Sequence, residues 1–190
     1  MVPELISLDA DITLRLLRES DAEAIFRVVE QEREHLGRWL IWVDSTQETA
    51  DTRNFLASVE KKRVEGETYA YGIWSGGELL GLCGLHDISR INANAQVGYW
   101  LREGQQGRGV MTLAVDALLS LGFAALDLQR IELRAAEGNQ RSWRIAERLG
   151  FRMEGTMRNL IRLRDGYADA RLYSLLREEW LAQPSRSSAP

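Results

Sequence analysis

The apolar positions of the chain alternate in some stretches and recur at helical spacing in others. Ile12 to Leu17 alternate loosely and predict a first strand. Ser20-Asp21-Ala22-Glu23 follows with the spacing of a capping box, Ser20 as cap and Glu23 reaching back. Ile25, Val28 and Val29 then give a helix one apolar face. Leu36 to Asp44 holds two tryptophans, Trp39 and Trp42, in a loop or short helix. Thr46 predicts the cap of a second helix, with Phe55, Leu56 and Val59 on its apolar face and Gly66 as its stop. Tyr69 to Trp74 and Glu78 to Leu85 flank Ser75-Gly76-Gly77, a hairpin pattern that leads into His86 at a strand end. Ala95 to Leu101 predicts the next strand. Val110, Leu113, Ala114, Ala117, Leu118 and Leu121 then repeat as a helix that ends near Leu126.

Arg130 to Ala135 alternates again. Asn139 opens another helix with Trp143, Ile145, Ala146 and Leu149 as its apolar positions. Gly150 stops it and Phe151 starts a strand. Leu160 to Leu163 and Ala170 to Leu176 flank Asp165-Gly166, a second hairpin signal. Gln183 to Pro190 lacks the apolar content of a core and predicts disorder. No repeat or linker divides the chain. The expected organisation is one domain over residues 1–180 and a disordered tail over 181–190.

The chemistry concentrates between the strand ending at Leu101 and the helix beginning at Val110. Gly104, Gly107 and Gly109 lie in that turn. A helix start offers amide N–H groups without intrahelical partners and a partial positive charge. Glycines let an anion come close to those amides. A Walker loop is excluded, because Val110-Met111 stands where Lys and Ser/Thr are needed. The dinucleotide fingerprint fails because Thr112 replaces its third glycine. A pyrophosphate cradle of another kind remains.

Composition narrows the class. At 190 residues, 45% hydrophobic and 27% charged, the chain has the make-up of a soluble globular domain with a sizeable core. A formal net charge of -4 argues against non-specific nucleic-acid binding, which draws on a basic surface. The single cysteine, Cys83, excludes an internal disulfide and a cysteine-cluster metal site. No apolar run approaches the ~18 residues of a membrane span, and a signal-peptide pattern is lacking. The expectation is a cytoplasmic enzyme without a membrane or nucleic-acid partner.

Gln106-Gly107-Arg108-Gly109-Val110-Met111 resembles motif A of the Gcn5-related N-acetyltransferases, Gln/Arg-x-x-Gly-x-Gly/Ala, with Met111 in place of the last small residue. Asn139-Gln140-Arg141-Ser142-Trp143-Arg144-Ile145-Ala146-Glu147-Arg148-Leu149-Gly150-Phe151 resembles the Asn-x-x-Ser-x-x-x-Ala-x-x-x-Gly-Phe segment of the same superfamily. The order of elements agrees up to Trp180. The tryptophan pair, the Tyr99-Trp100-Leu101 strand end and the Asp165-Gly166-Tyr167 turn resemble the ribosomal-protein-alanine/serine N-acetyltransferases.

The resemblance implies an α+β (mixed α/β) single-domain acetyltransferase fold. Its central, mostly antiparallel sheet is splayed at the cofactor site and carries helices on both faces. It implies acetyl-CoA as co-substrate and no metal. Backbone groups of Trp100 and Leu101 would pair with the pantetheine arm. Gln106, Gly107, Arg108, Gly109, Val110 and Met111 would hold the pyrophosphate, and Asn139 the arm. Ser142 would donate a proton to the departing thiolate. Taken alone, Asn139 and Ser142 read equally as helix caps.

Trp39, Trp42 and His86 are the candidate acceptor-site residues, the tryptophans as a pocket wall or else a roof over the core. His35 reads as a surface residue. Related enzymes can carry a glutamate base after Phe151, but Asn159-Leu160-Ile161-Arg162-Leu163 has no acid. The base stays open between His86-Asp87 and a water chain. The expected acceptor is a protein or peptide N-terminus. A small amine (polyamine, amino acid or amine antibiotic) and a non-catalytic CoA-binding module are the alternatives, and a homodimer is left open.

Overall fold

The computed structural model describes residues 2–183. One eight-stranded sheet runs through it in the order β1-β2-β3-β4-β5-β6-β8-β7. The strands are β1 (Leu5–Ser7), β2 (Ile12–Leu16), β3 (Tyr69–Ser75), β4 (Glu78–Ser89), β5 (Asn94–Leu101), β6 (Arg130–Ala136), β7 (Arg152–Leu163) and β8 (Gly166–Leu176). Each pairs antiparallel with its neighbour except β5 and β6, which are parallel. The expected splayed, mostly antiparallel sheet is therefore present, with one more edge strand, β1, than the periodicity indicates.

Helices cover both faces. On one side α1 (Ala22–Gln31) and α4 (Thr49–Glu65) pack over Trp74, Leu79, Leu82 and Trp100. Two short helices, α2 (Arg33–Gly37) and α3 (Trp42–Ser45), connect them. On the other side α5 (Val110–Ser120) and α6 (Gln140–Arg148) bury Val97, Leu101, Leu133 and Tyr173. A π turn, Leu121–Ala125, completes the helix that the sequence ends near Leu126. The last helix, α7 (Arg177–Leu181), seats Trp180 on Phe123, ring centroids 5.4 Å apart.

Strand β4 needs its glycines for close approach. A Cβ on Gly81 would lie 2.2 Å from the Trp100 carbonyl oxygen, so the backbones of β4 and the end of β5 touch there.

Several local expectations are corrected. Ser20 and Glu23 do not form a capping box. Asp21 Oδ2 accepts from the Arg18 amide at 2.9 Å instead. Thr46 does not cap α4, since its hydroxyl donates to Trp42 O. Asp51 Oδ2 accepts from the amides of Gln47 (2.8 Å) and Glu48 (3.0 Å). In both places an acid inside the first turn reaches back and accepts from backbone amides of the incoming chain. Strand β4 continues past Leu85, so His86 lies inside a strand and not at its end. An irregularity between His86 and Ser89 follows, with Asp87 at φ 51°. Strand β7 runs from Arg152, next to the predicted strand start at Phe151, through Leu160 to Leu163, with an irregularity between Met157 and Ile161 and Asn159 at φ 52°. At the predicted tail, Gln183 Nε2 donates to Leu149 O at 2.9 Å, and residues 184–190 lie outside the described ones.

Candidate active site

Parallel pairing between β5 and β6 runs from Asn94–Arg130 to Val97–Leu133 and stops. Both strands continue, to Leu101 and Ala136. From Gly98 onward that edge of β5 has no strand partner, and the unpaired backbone groups require another partner. A cleft of about 910 Å³ opens there, lined by residues of α2, the end of β5, the glycine turn and the start of α6.

The turn supplies the anion-binding end. Gly107 (φ 76°) and Gly109 (φ 81°) are both left-handed, where side chains with a Cβ are strained. A Cβ at either would meet nothing within 4 Å, so the space beside them is open. Gly109 is the N-cap of α5, which places the free amides of that helix at the cleft. Gln106, Gly107, Gly109, Val110 and Met111 all line it, as do Trp100 and Leu101. Arg108 is the exception, because its Nη1 turns away to Gln105 Oε1 at 2.6 Å.

The far end is a hydroxyl pair. Asn139 is the N-cap of α6, its Oδ1 accepting from the Ser142 amide at 3.3 Å. Ser142 itself is no cap. Its Oγ lies 3.1 Å from the Tyr99 hydroxyl, which donates to Ser142 O at 3.0 Å. One phenolic proton cannot serve both bonds, so the serine hydroxyl donates to Tyr99 in this arrangement. Burial pushes the Tyr99 phenol up to about 12, against the lowering effects of the Ser142 bond and Arg148. Tyr99 is thus protonated at neutral pH. A cradle of amides, an unpaired strand edge and a hydroxyl pair follow one another along one cleft.

The acetyltransferase (GNAT) domain family matches residues 11–152. The chain belongs to the GNAT acetyltransferase family. It is an N-acetyltransferase. It is 32% identical over 171 residues to a putative ribosomal N-acetyltransferase, YdaF, of Bacillus subtilis, covering 89% of this chain and 93% of that protein. It is 27% identical to the ribosomal-protein-serine acetyltransferase of Escherichia coli, covering 90% and 96%. Among solved structures, RimL, a ribosomal L7/L12 α-N-protein acetyltransferase in complex with coenzyme A, superposes with TM-score 0.89 at 27% identity, covering 93% of this chain and 99% of that one.

Other residues of this GNAT site were not evident from local sequence. His35 is corrected from surface residue to cleft wall, its side chain 13% exposed. Its Nε2 lies 2.8 Å from Gln106 Nε2 and accepts from that amide. Gln106 Oε1 in turn accepts from Arg141. Helix α2, the glycine turn and α6 are thereby tied together. Arg141, Arg144 and Arg148 all line the cleft from α6, and their spacing of three and four residues is a signal the sequence does carry.

The tryptophans separate. Trp39 lines the cleft, 3.5 Å from where a Cβ on Gly138 would stand. Trp42 begins α3, is 38% exposed and is not among the cleft-lining residues. Trp39 and Trp42 therefore do not share one cleft wall, and a half-exposed Trp42 is no roof over the core. Arg164, in the β7–β8 turn, binds Asp44 through Nη2 (2.6 Å) and Nε (3.1 Å) and crosses over Gly37. The guanidinium holds the Asp44 carboxyl below its ordinary value. His86 also lies outside the cleft walls. Among the described residues no group of three or more His, Cys, Asp or Glu side chains is placed to hold a metal ion, and no helix is long and apolar enough to cross a membrane.

Proposed function

We propose that this enzyme transfers the acetyl group of acetyl-CoA directly to the α-amino group of a protein N-terminus. The observation that carries the reading is the continuous cleft from the left-handed glycines at α5 to the Ser142–Tyr99 hydroxyl pair. Its volume is of the size that ligand sites need. Its glycine end suits a pyrophosphate: amides of α5 point there, and Arg141, Arg144 and Arg148 add positive charge in an otherwise acidic protein. The unpaired edge of β5 at Trp100 and Leu101 suits an amide-bearing arm laid down as an added strand.

At the hydroxyl end Ser142 stands where a leaving thiolate takes up a proton. Backbone N–H on the splayed edge stabilises the oxyanion. The attacking amine must be neutral. At pH 7.5 about a quarter of an α-amine of pKa ~8 is neutral, against about one part in a thousand of a lysine of pKa ~10.4. The α-amine therefore makes the smaller demand on a base. The similarity to ribosomal-protein acetyltransferases supports the same acceptor class.

The test is CoA release with a panel of N-terminal peptides, lysine side chains and polyamines. A peptide carrying both amine types, read by mass spectrometry, is expected to be acetylated at its N-terminus. Preferential lysine or polyamine modification overturns the acceptor assignment.

A further inference from the structure

The cleft supplies a proton for the leaving group, but its titratable residues offer no free acceptor at that end for the proton that the amine loses: the His35 Nε2 lone pair is taken by the Gln106 amide, and Glu103 belongs to the glycine-turn end. The opposite face of the sheet carries one. His86 pairs with Gln96 across β4 and β5, in register with Gly84–Gly98 and Leu82–Trp100. Leu82 and Trp100 pack beneath α1 and α4, so His86 lies on that face. Tyr99 packs against the other face, with Ser142.

The imidazole is aimed. A Cβ built on Gly98 would lie 3.0 Å from His86 Nε2, so this nitrogen stands directly over Gly98. Gly98 is the first residue of β5 beyond the last β5–β6 pair, Val97–Leu133, which puts Nε2 at the vertex of the splay. The ring is also held. His86 Nδ1 lies 3.0 Å from Asp87 Oδ2, and Gln96 Nε2 donates to the same oxygen at 3.0 Å. That oxygen is an acceptor in both bonds, so Nδ1 carries the hydrogen. The Nε2 lone pair then faces Gly98. The left-handed turn at Asp87, φ 51°, brings the carboxylate back beside the preceding ring.

We infer that His86 is the general base of the transfer, with Asp87 and Gln96 as positioning residues. The inference rests on the acetyl-transfer reading above. As the C–N bond forms, His86 Nε2 takes one proton from the attacking amine. As the C–S bond breaks, Ser142 Oγ gives one proton to sulfur. His86 then releases its proton to solvent and Ser142 regains one from solvent, so the two groups return to their starting states. Base and acid thus stand on opposite faces of the sheet on either side of the splay vertex. An acceptor approaching from the α1/α4 face meets His86 first. Gly98 has no side chain to hold the two apart.

The experiment measures steady-state rates with acetyl-CoA and a peptide bearing a free α-amine. His86→Asn keeps a polar group for Asp87 but removes Nε2. It is expected to lower kcat about 10²-fold, the typical scale for a lost general base, with KM for acetyl-CoA and the melting temperature within error of wild type. His86→Ala should recover part of its rate when imidazole is added. Gly98→Ala, whose methyl crowds Nε2 and pushes the ring off its position, should lower kcat with the His86 side chain still present. A His86→Asn kcat within threefold of wild type, or loss of rate without rescue in His86→Ala, overturns the assignment. Wild-type protein inactive on every amine of the panel would overturn the acetyl-transfer reading instead, so the two failures are distinguishable.

Discussion

The glycine turn and the Leu36 to Asp44 segment border one cleft and are built in different ways. In the turn, function rests on backbone conformation. Gly107 and Gly109 adopt left-handed φ, and the chain runs straight into α5. Neighbouring residues suffice to specify this. The other segment is positioned by groups far away in the chain. His35 is held by Gln106, Asp44 by Arg164, and Trp39 rests beside Gly138. Its own sequence shows two tryptophans and no period, and only distant partners decide which ring faces the cleft. The proposed cofactor side is therefore concentrated in a motif, whereas the proposed acceptor side is assembled from several parts of the fold.

The contrast can be broken at its strongest point first. Gly109→Asp adds a Cβ at φ 81° and a negative charge beside the anion site. The charge facing a bound pyrophosphate costs several kcal/mol and predicts at least a ~10²-fold loss of acetyl-CoA affinity by calorimetry, while the left-handed strain of ~1–3 kcal/mol is read in the melting temperature. Wild-type affinity would remove the turn from the site. Next comes Ser142→Ala, expected to cost about 10²-fold in kcat while CoA affinity stays within twofold. Tyr99→Phe deletes only the partner hydroxyl, so a smaller fall of about tenfold is expected. The double variant should be no worse than Ser142→Ala, because both substitutions break one pair.

On the acceptor side the effects are smaller. Trp39→Ala should raise KM about tenfold through lost apolar wall, by saturation kinetics. Trp42→Ala should change neither KM by more than twofold, since its ring is outside the cleft. A larger effect for Trp42 would reverse the assignment of the pair. The smallest expected change is for Arg164→Ala, a few-fold rise in KM for the peptide with little shift in melting temperature. Because the Arg164–Asp44 pair is exposed, 0.5–1 M salt should produce part of the same change in the wild type.

Much of the fold was legible. Alternation placed β2 and β6, the glycine hairpin pattern placed β3 and β4, an apolar run placed β5, and helical spacing placed α1, α5 and α6. The capping pattern at Ser20 and Thr46 misled, because the structure puts the side-chain contacts at the helix starts on Asp21 and Asp51, while the Thr46 hydroxyl turns back to Trp42 O. Strand β7 was legible at its two ends, Phe151 and Leu160 to Leu163, but not between them, since an edge strand with much of its surface exposed has little periodicity to read. In the site, Gly107 and Gly109 stood out from the glycine turn before a helix, whereas Asn139 and Ser142 were named only through the family resemblance, because their spacing alone reads as capping. Tyr99 could not be assigned to Ser142, nor His35 to Gln106, because 43 and 71 positions separate them.

By itself the sequence determined the order of elements, the glycine turn that opens α5 and the family. These depend on local backbone preference and on periodic burial, which act between near neighbours. The tertiary structure alone decided where β5 and β6 part, which tryptophan enters the cleft, and that His86 and Ser142 stand on opposite faces of one splay. Those outcomes follow from strand register and from side chains meeting across the sheet, and register is a property of two strands together.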